Sequence, residues 1–286
     1  MQSCRPGVSE ISMCALGTPW RYVAAHYVGR DRGLSEELTD IYEFGVFSGI
    51  SLAQLRTASK VVGMESSIGS VWALDSFVGL QEGVNQKGDD KSEWTGGAFS
   101  SSKLYGTQSM SALQDMLRKV ITSQRSNTAA QQDWFGKKLK FVAGFYNESL
   151  HRGLARELGM RPARYVDVDV DQYLPTKQLF DFMFGEKLIR PGTYIGYDDI
   201  GSTARWSAGE SRAHFEIARQ YGVRFQLVWN PCKNLTTPKH PHWAWKQAGV
   251  AKHDALCPAL KHCRKYYQLV FKVVAIGGPG ADFQLC

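Results

Sequence analysis

"IYEFGVFSGISLAQLRTASK", residues 41–60, decides how this chain is read. Its opening, "IYEFGVF", is apolar and β-prone, the pattern of a buried strand, whereas "GISLAQLRTASK" switches to the apolar spacing of a helix. Gly45 and Gly49 lie where strand gives way to helix. A glycine just past a strand lets backbone approach a ligand with no side chain between them. Glu43 adds a carboxylate able to bind a ligand's polar groups. The motif is not GxGxxG, and a tight strand–helix turn would use the same glycines.

The same alternation repeats along the chain. "VWALDSF" (71–77), "KFVAG" (140–144), "RYVDVD" (164–169) and "TYIGYDD" (193–199) read as further strands. "NESLHRGLARELG", "PTKQLFDFMFGEKL" and "SRAHFEIARQYG" read as helices, and "RFQLVWN" (224–230) and "YQLVFKVVAI" (267–276) supply two late strands. Strands alternating with helices predict an α/β domain, with a mainly parallel sheet covered on both faces. In such folds ligands bind beyond the carboxyl ends of the strands.

That is where the acids fall. Asp75 follows the second strand and can accept both hydroxyls of a ribose, although Asp is also a good helix N-cap. "RYVDVDVDQYLPT" (164–176) and "PGTYIGYDDI" (191–200) aim Asp169 and the Asp198–Asp199 pair at neighbouring strand ends. Carboxylates converging there repel one another unless a divalent cation neutralises them. Oxygen ligands suit Mg²⁺, with Mn²⁺ or Ca²⁺ as alternatives. The other reading makes one acid a cap and pairs the rest with Arg or Lys. Asp171 competes with Asp169 for the ligand role, and Asp167 faces the surroundings of its strand.

Size and composition set outer bounds. The 286 residues are 43% hydrophobic and 21% charged, ordinary for a soluble globular chain, and one domain spanning 1–286 is expected. No apolar run approaches the ~20 residues that cross a bilayer, and the N-terminus lacks a signal-peptide pattern. A cytoplasmic protein is expected, its six cysteines reduced. The net charge of +7 comes without any nucleic-acid-binding motif. Residues 1–40 read as an N-terminal extension and 81–107, rich in Gly, Ser and charge, as a mobile lid loop. Residues 231–265 read as an insertion between the last two strands. Its His240, His242, His253, Cys257, His262 and Cys263 match no standard zinc module, so a plain surface insertion is expected. Trp243 and Trp245 could cover an acceptor pocket or anchor the insertion.

Taken in order, "YEFGVFSGISL", "VWALDSFVGLQEG", "FVAGFYNESL", "VDVDQYLPT", "PGTYIGYDD" and "GESRAHFEIARQYGV" resemble the landmarks of the macrocin O-methyltransferase (TylF-type) family over roughly residues 40–230. "ALDSFVGL" and the "DVDQYLPT"/"YDD" pair are the most specific pieces. The resemblance implies a Rossmann-like class I methyltransferase fold with a seven-stranded sheet and helices on both faces. It implies S-adenosylmethionine as methyl donor, Mg²⁺ or another divalent cation, and a hydroxyl of a sugar or natural-product-like small molecule as acceptor. Family members are often oligomers. By resemblance, Glu43 and Gly45 line the methionine end of the donor, Asp75 holds its ribose beside Ser76 and Phe77, and Gly144 and Phe145 lie near the adenine. Asp169, Asp198 and Asp199 are similar to the family's metal ligands. The chain departs from the pattern at Val170, where a small residue is usual, at "LPT", where "EST" is common, and in 231–265.

Methyl transfer from sulfonium to oxygen is an in-line displacement, so positioning supplies much of the acceleration. A bound cation lowers the pKa of the acceptor hydroxyl, and a base must take its proton. Asp169, His151 and His214 are the candidate bases, with Lys177 a further one. Two other readings compete: a methyltransferase-like binding or scaffold protein without catalysis, and a metal-dependent phosphoester hydrolase.

Overall fold

The computed structural model describes Val28 and residues 38–61, 63–82, 95–200, 208–229 and 268–277. The extension to residue 37 apart from Val28, residues 83–94 of the expected lid, the 231–265 insertion with its His, Cys and Trp residues, and all six cysteines lie outside the described residues.

The strands are β1 (Thr39–Phe44), β2 (Ile68–Asp75), β3 (Leu139–Ala143), β4 (Ala163–Val168), β5 (Tyr194–Tyr197), β6 (Arg224–Trp229) and β7 (Leu269–Ala275). They form one seven-stranded sheet in the order β3-β2-β1-β4-β5-β7-β6. The first five neighbours run parallel, while β7 inserts antiparallel between β5 and β6. The order reverses between β1 and β4. A crevice opens at such a switch point because the crossovers on its two sides leave in opposite directions. β1, β4 and β5 are buried along their whole lengths, as a central sheet covered on both faces requires.

The helices are α1 (Ile50–Val61), α2 (Ser101–Tyr105), α3 (Met110–Thr122), α4 (Asn127–Gln132), α5 (Trp134–Lys138), α6 (Tyr146–Ser149), α7 (Leu154–Leu158), α8 (Tyr173–Gly185) and α9 (Gly209–Tyr221). One core layer packs α8 and α9 against the sheet through Leu179, Phe180, Met183 and Ile217. The other packs α1 and α3 through Leu52, Leu55, Leu113, Leu117 and Ile121. The expected helix at 147–159 is broken in two, because Gly153 takes φ +92° and restarts the chain as α7.

α2 falls inside the stretch expected to be a lid loop. Ser100 caps it by accepting from Lys103 N, and Gly106 ends it in the left-handed conformation. α3 carries its own start signal: Ser109 accepts from Ala112 N ahead of Leu113, Leu117 and Ile121, spaced four apart on the buried face.

Candidate functional site

The ends of β1, β2, β4 and β5 open into a cavity of about 440 Å³. Its walls include Gly45, Asp75, Ser76, Gly144, Phe145 and Asp169 from the residues singled out in the sequence, and Asp198 and Asp199 across from them.

The β1–α1 turn passes so close to the end of β4 that only glycine fits. Gly45 has φ +87°, and a Cβ built on it would lie 1.7 Å from the Asp169 carbonyl oxygen. The turn is pinned from both sides, with Gly45 N–H donating to the Leu74 carbonyl at 3.0 Å and Asp169 N–H donating to the Phe44 carbonyl at 2.9 Å. Gly49 serves packing instead: its missing Cβ leaves room for Leu117 and Ile121 of α3, both 3.2 Å from that position. Glu43 is buried in β1 and accepts from the Ser51 hydroxyl. It lies beneath the cavity, not among its lining residues.

Asp75 closes the glycine turn. One carboxylate oxygen accepts from Val46 N at 2.7 Å and Phe47 N at 3.0 Å, and the other accepts from Phe77 N at 2.7 Å. The Ser76 hydroxyl adds a longer contact at 3.4 Å, so the roughly four acceptor sites of a carboxylate are all in use. Phe77 contributes this N–H, while its ring packs in the core against Phe141. α2 braces the same corner: Ser101 Oγ donates to the Phe47 carbonyl, Ser102 Oγ to the Phe77 carbonyl and Tyr105 OH to the Ser48 carbonyl. Tyr146 also lines the cavity, its hydroxyl donating to the Leu74 carbonyl at 3.0 Å and its ring edge-to-face with Phe44.

The acids beyond β4 and β5 gather as Asp169, Asp171 and Asp199, with one oxygen from each within 4.8 Å of the others. The expected set was Asp169, Asp198 and Asp199. The difference has a backbone cause. Asp171 takes φ +63°, a left-handed conformation that Asp tolerates better than most residues, and its side chain thereby reaches Asp199. Asp198 also lines the cavity, but one of its oxygens accepts from Gln268 Nε2 at 2.6 Å, just ahead of β7. Burial, the hydrogen bond to Asp199 and the charges of Asp169, Asp199 and Asp198 push the Asp171 carboxyl well above the ordinary range. Such a set suits a hard divalent cation, which would relieve the repulsion that raises it.

A fourth carboxyl, Glu210 in the first turn of α9, belongs to this cluster and had no place in the sequence reading. One oxygen accepts from Val170 N and Asp171 N, both at 3.2 Å, and the other from Asp199 N at 3.3 Å. Burial, followed by the charges of Asp199, Asp171 and Asp169, raises it well above the usual range. An acid opening a helix reads in sequence as a favourable helix-dipole charge, and nothing local marks it as a neighbour of β4.

The two histidines lie elsewhere. His214 is enclosed between Phe225 and Phe271, with Nδ1 2.7 Å from the Tyr197 hydroxyl, and burial lowers its pKa to about 3. His151 is exposed beside Glu157. Neither lines the cavity. Lys177 is engaged with Asp181 and Gln220. Of the bases considered, Asp169 alone faces the cavity.

No family model matches the chain, and no curated protein does. Solved structures do. The fold is that of the class I methyltransferases. The chain is similar to the calicheamicin methyltransferase CalS11, with a TM-score of 0.51 and 20% identity over 82% of this chain and 76% of that one. It is also similar to the O-methyltransferase NovP, with a TM-score of 0.53 and 13% identity over 90% of this chain and 81% of that one. Among the described residues, no helix is long and apolar enough to cross a membrane.

Proposed function

We propose that this protein is an S-adenosylmethionine-dependent O-methyltransferase that uses a divalent cation to methylate a hydroxyl of a sugar or natural-product-like small molecule. One observation carries the reading: a single cavity joins the Gly45–Asp75 corner to the Asp169–Asp171–Asp199 carboxylates. The first half suits a nucleoside and the second a cation with a hydroxylated ligand. The similarity in fold to CalS11 and NovP supports it.

In this reading S-adenosylmethionine supplies an electrophilic methyl group, and a cation held by Asp169, Asp171 and Asp199 would make an acceptor hydroxyl more acidic. The chain's residues do the rest. Gly45 lets the backbone approach the donor without a side chain in the way. Asp75 exchanges one of its backbone amides for a ribose hydroxyl. Gly144 and Phe145 bound the adenine end. The acidic loops fix where the acceptor oxygen stands, and a carboxylate of the cluster, foremost Asp169, accepts its proton.

Calorimetry tests the two halves separately. S-Adenosylhomocysteine and Mn²⁺ are each expected to bind the purified chain, and methyl transfer to a hydroxylated acceptor is expected to stop with EDTA and return with Mg²⁺. Absence of S-adenosylhomocysteine binding would overturn the methyltransferase reading. Turnover unaffected by EDTA would overturn the metal.

A further inference from the structure

We infer that Glu210 is a positioning residue: its buried carboxyl group ties the loop after β4 to the loop after β5 and so sets the spacing of the carboxylates that receive the cation. The inference rests on the metal-assisted reading above. Glu210 is 1% exposed. Stabilising its own helix would require only a solvated acid in the first turn, and burial beside Asp169, Asp171 and Asp199 costs stability that such a role cannot explain. The geometry supplies the explanation. Glu210 spans the two loops, holding Val170 N and Asp171 N with one oxygen and Asp199 N with the other, beside the side-chain hydrogen bond between Asp171 and Asp199. The Asp171 amide is that of the left-handed residue whose side chain meets Asp199. Glu210 therefore fixes the turn that brings the third carboxylate into the cluster. It is not itself one of the lining residues. Its effect passes through the residues it holds, as partners behind metal ligands commonly act.

Glu210→Gln separates this role from bulk. The side chain keeps its size, but its amide nitrogen must face backbone N–H groups of one loop or the other, so one anchor is lost. In metal-free protein, amide exchange in peptides covering Val170, Asp171 or Asp199 is expected to accelerate. Mn²⁺ affinity, read by calorimetry, is expected to fall by about tenfold or more, with S-adenosylhomocysteine affinity changed less than about twofold. Glu210→Asp keeps both acceptor oxygens on a shorter arm and should lie between; it serves as the test variant if Glu210→Gln does not fold. Unchanged exchange at these amides, unchanged Mn²⁺ affinity, or equal losses of both ligands would overturn the inference. A wild-type chain that binds no Mn²⁺ sinks the metal reading instead. Exchange in the metal-free protein then still shows whether Glu210 holds the loops.

Discussion

Gly45 and Asp169 meet backbone to backbone: a methyl group on Gly45 would sit 1.7 Å from the Asp169 carbonyl oxygen. The glycine turn that would receive the donor and the loop that carries the first acid of the metal cluster thus touch. They cannot move apart without breaking the Phe44 carbonyl–Asp169 amide bond.

Gly45→Ala should disturb both halves of the site. Its φ of +87° is costly for an L-residue by about 1–3 kcal/mol, and the clash is with backbone, which cannot rotate aside. Melting should fall by several degrees, and affinity for S-adenosylhomocysteine by tenfold or more, roughly. Calorimetry on the folded variant with unchanged affinity would count against the turn as donor site.

Asp75→Asn places an NH₂ group against backbone N–H groups that the carboxylate now satisfies. Losing charge-assisted hydrogen bonds of about 1.5–3 kcal/mol each should weaken S-adenosylhomocysteine binding by about ten- to a hundredfold. Mn²⁺ affinity should stay within about twofold, since Asp75 is not in the carboxylate cluster. Equal loss of both ligands would refute the division of the cavity.

The acids should respond with opposite signs in the presence and absence of metal. Without metal, Asp171→Asn replaces a carboxyl whose ionisation burial and the neighbouring acids oppose, and should raise the melting temperature. With saturating Mg²⁺, the same variant should melt below the wild type. Asp199→Asn should behave alike. Asp198→Asn should cost less Mn²⁺ affinity than Asp199→Asn, because Asp198 is held by Gln268. Thermal melts with EDTA or Mg²⁺ read all three.

His214 sets a pH dependence. Its folded pKa of about 3 lies below the ordinary 6.5, so between these values the unfolded chain binds a proton that the folded chain does not. Stability should therefore fall as pH drops below about 6.5, by at most about 1.4 kcal/mol per pH unit from this group. Denaturant titrations from pH 7 to 4 should show a shallower fall in the paired variant His214→Phe with Tyr197→Phe, which removes the titrating ring and its hydroxyl partner together. An unchanged slope would place the titration elsewhere. Folded His214→Phe protein should retain S-adenosylhomocysteine and Mn²⁺ binding, since the residue lies outside the cavity.

Much of this architecture was legible residue by residue. Each strand expected from apolar runs lies within a few residues of an observed one, because a buried strand must be apolar wherever it sits in the sheet. Asp75, Asp169, Asp198 and Asp199 fall at strand ends, and the cavity gathers them. α3 was also present in the pattern of Ser109, Leu113, Leu117 and Ile121, a capping residue followed by apolar residues four apart.

The amino-acid order by itself determined the strand–helix alternation, the glycine at the β1 turn and the run of acids, since each depends on local periodicity or on the absence of a side chain. Tertiary structure alone decided the rest. It set β7 antiparallel between β5 and β6, chose Asp171 over Asp198 for the cluster, buried His214 away from the cavity, and brought Glu210 across from a distant helix. These outcomes depend on which backbone amides and carboxyl groups meet in space, a relation between residues tens of positions apart that no local pattern encodes.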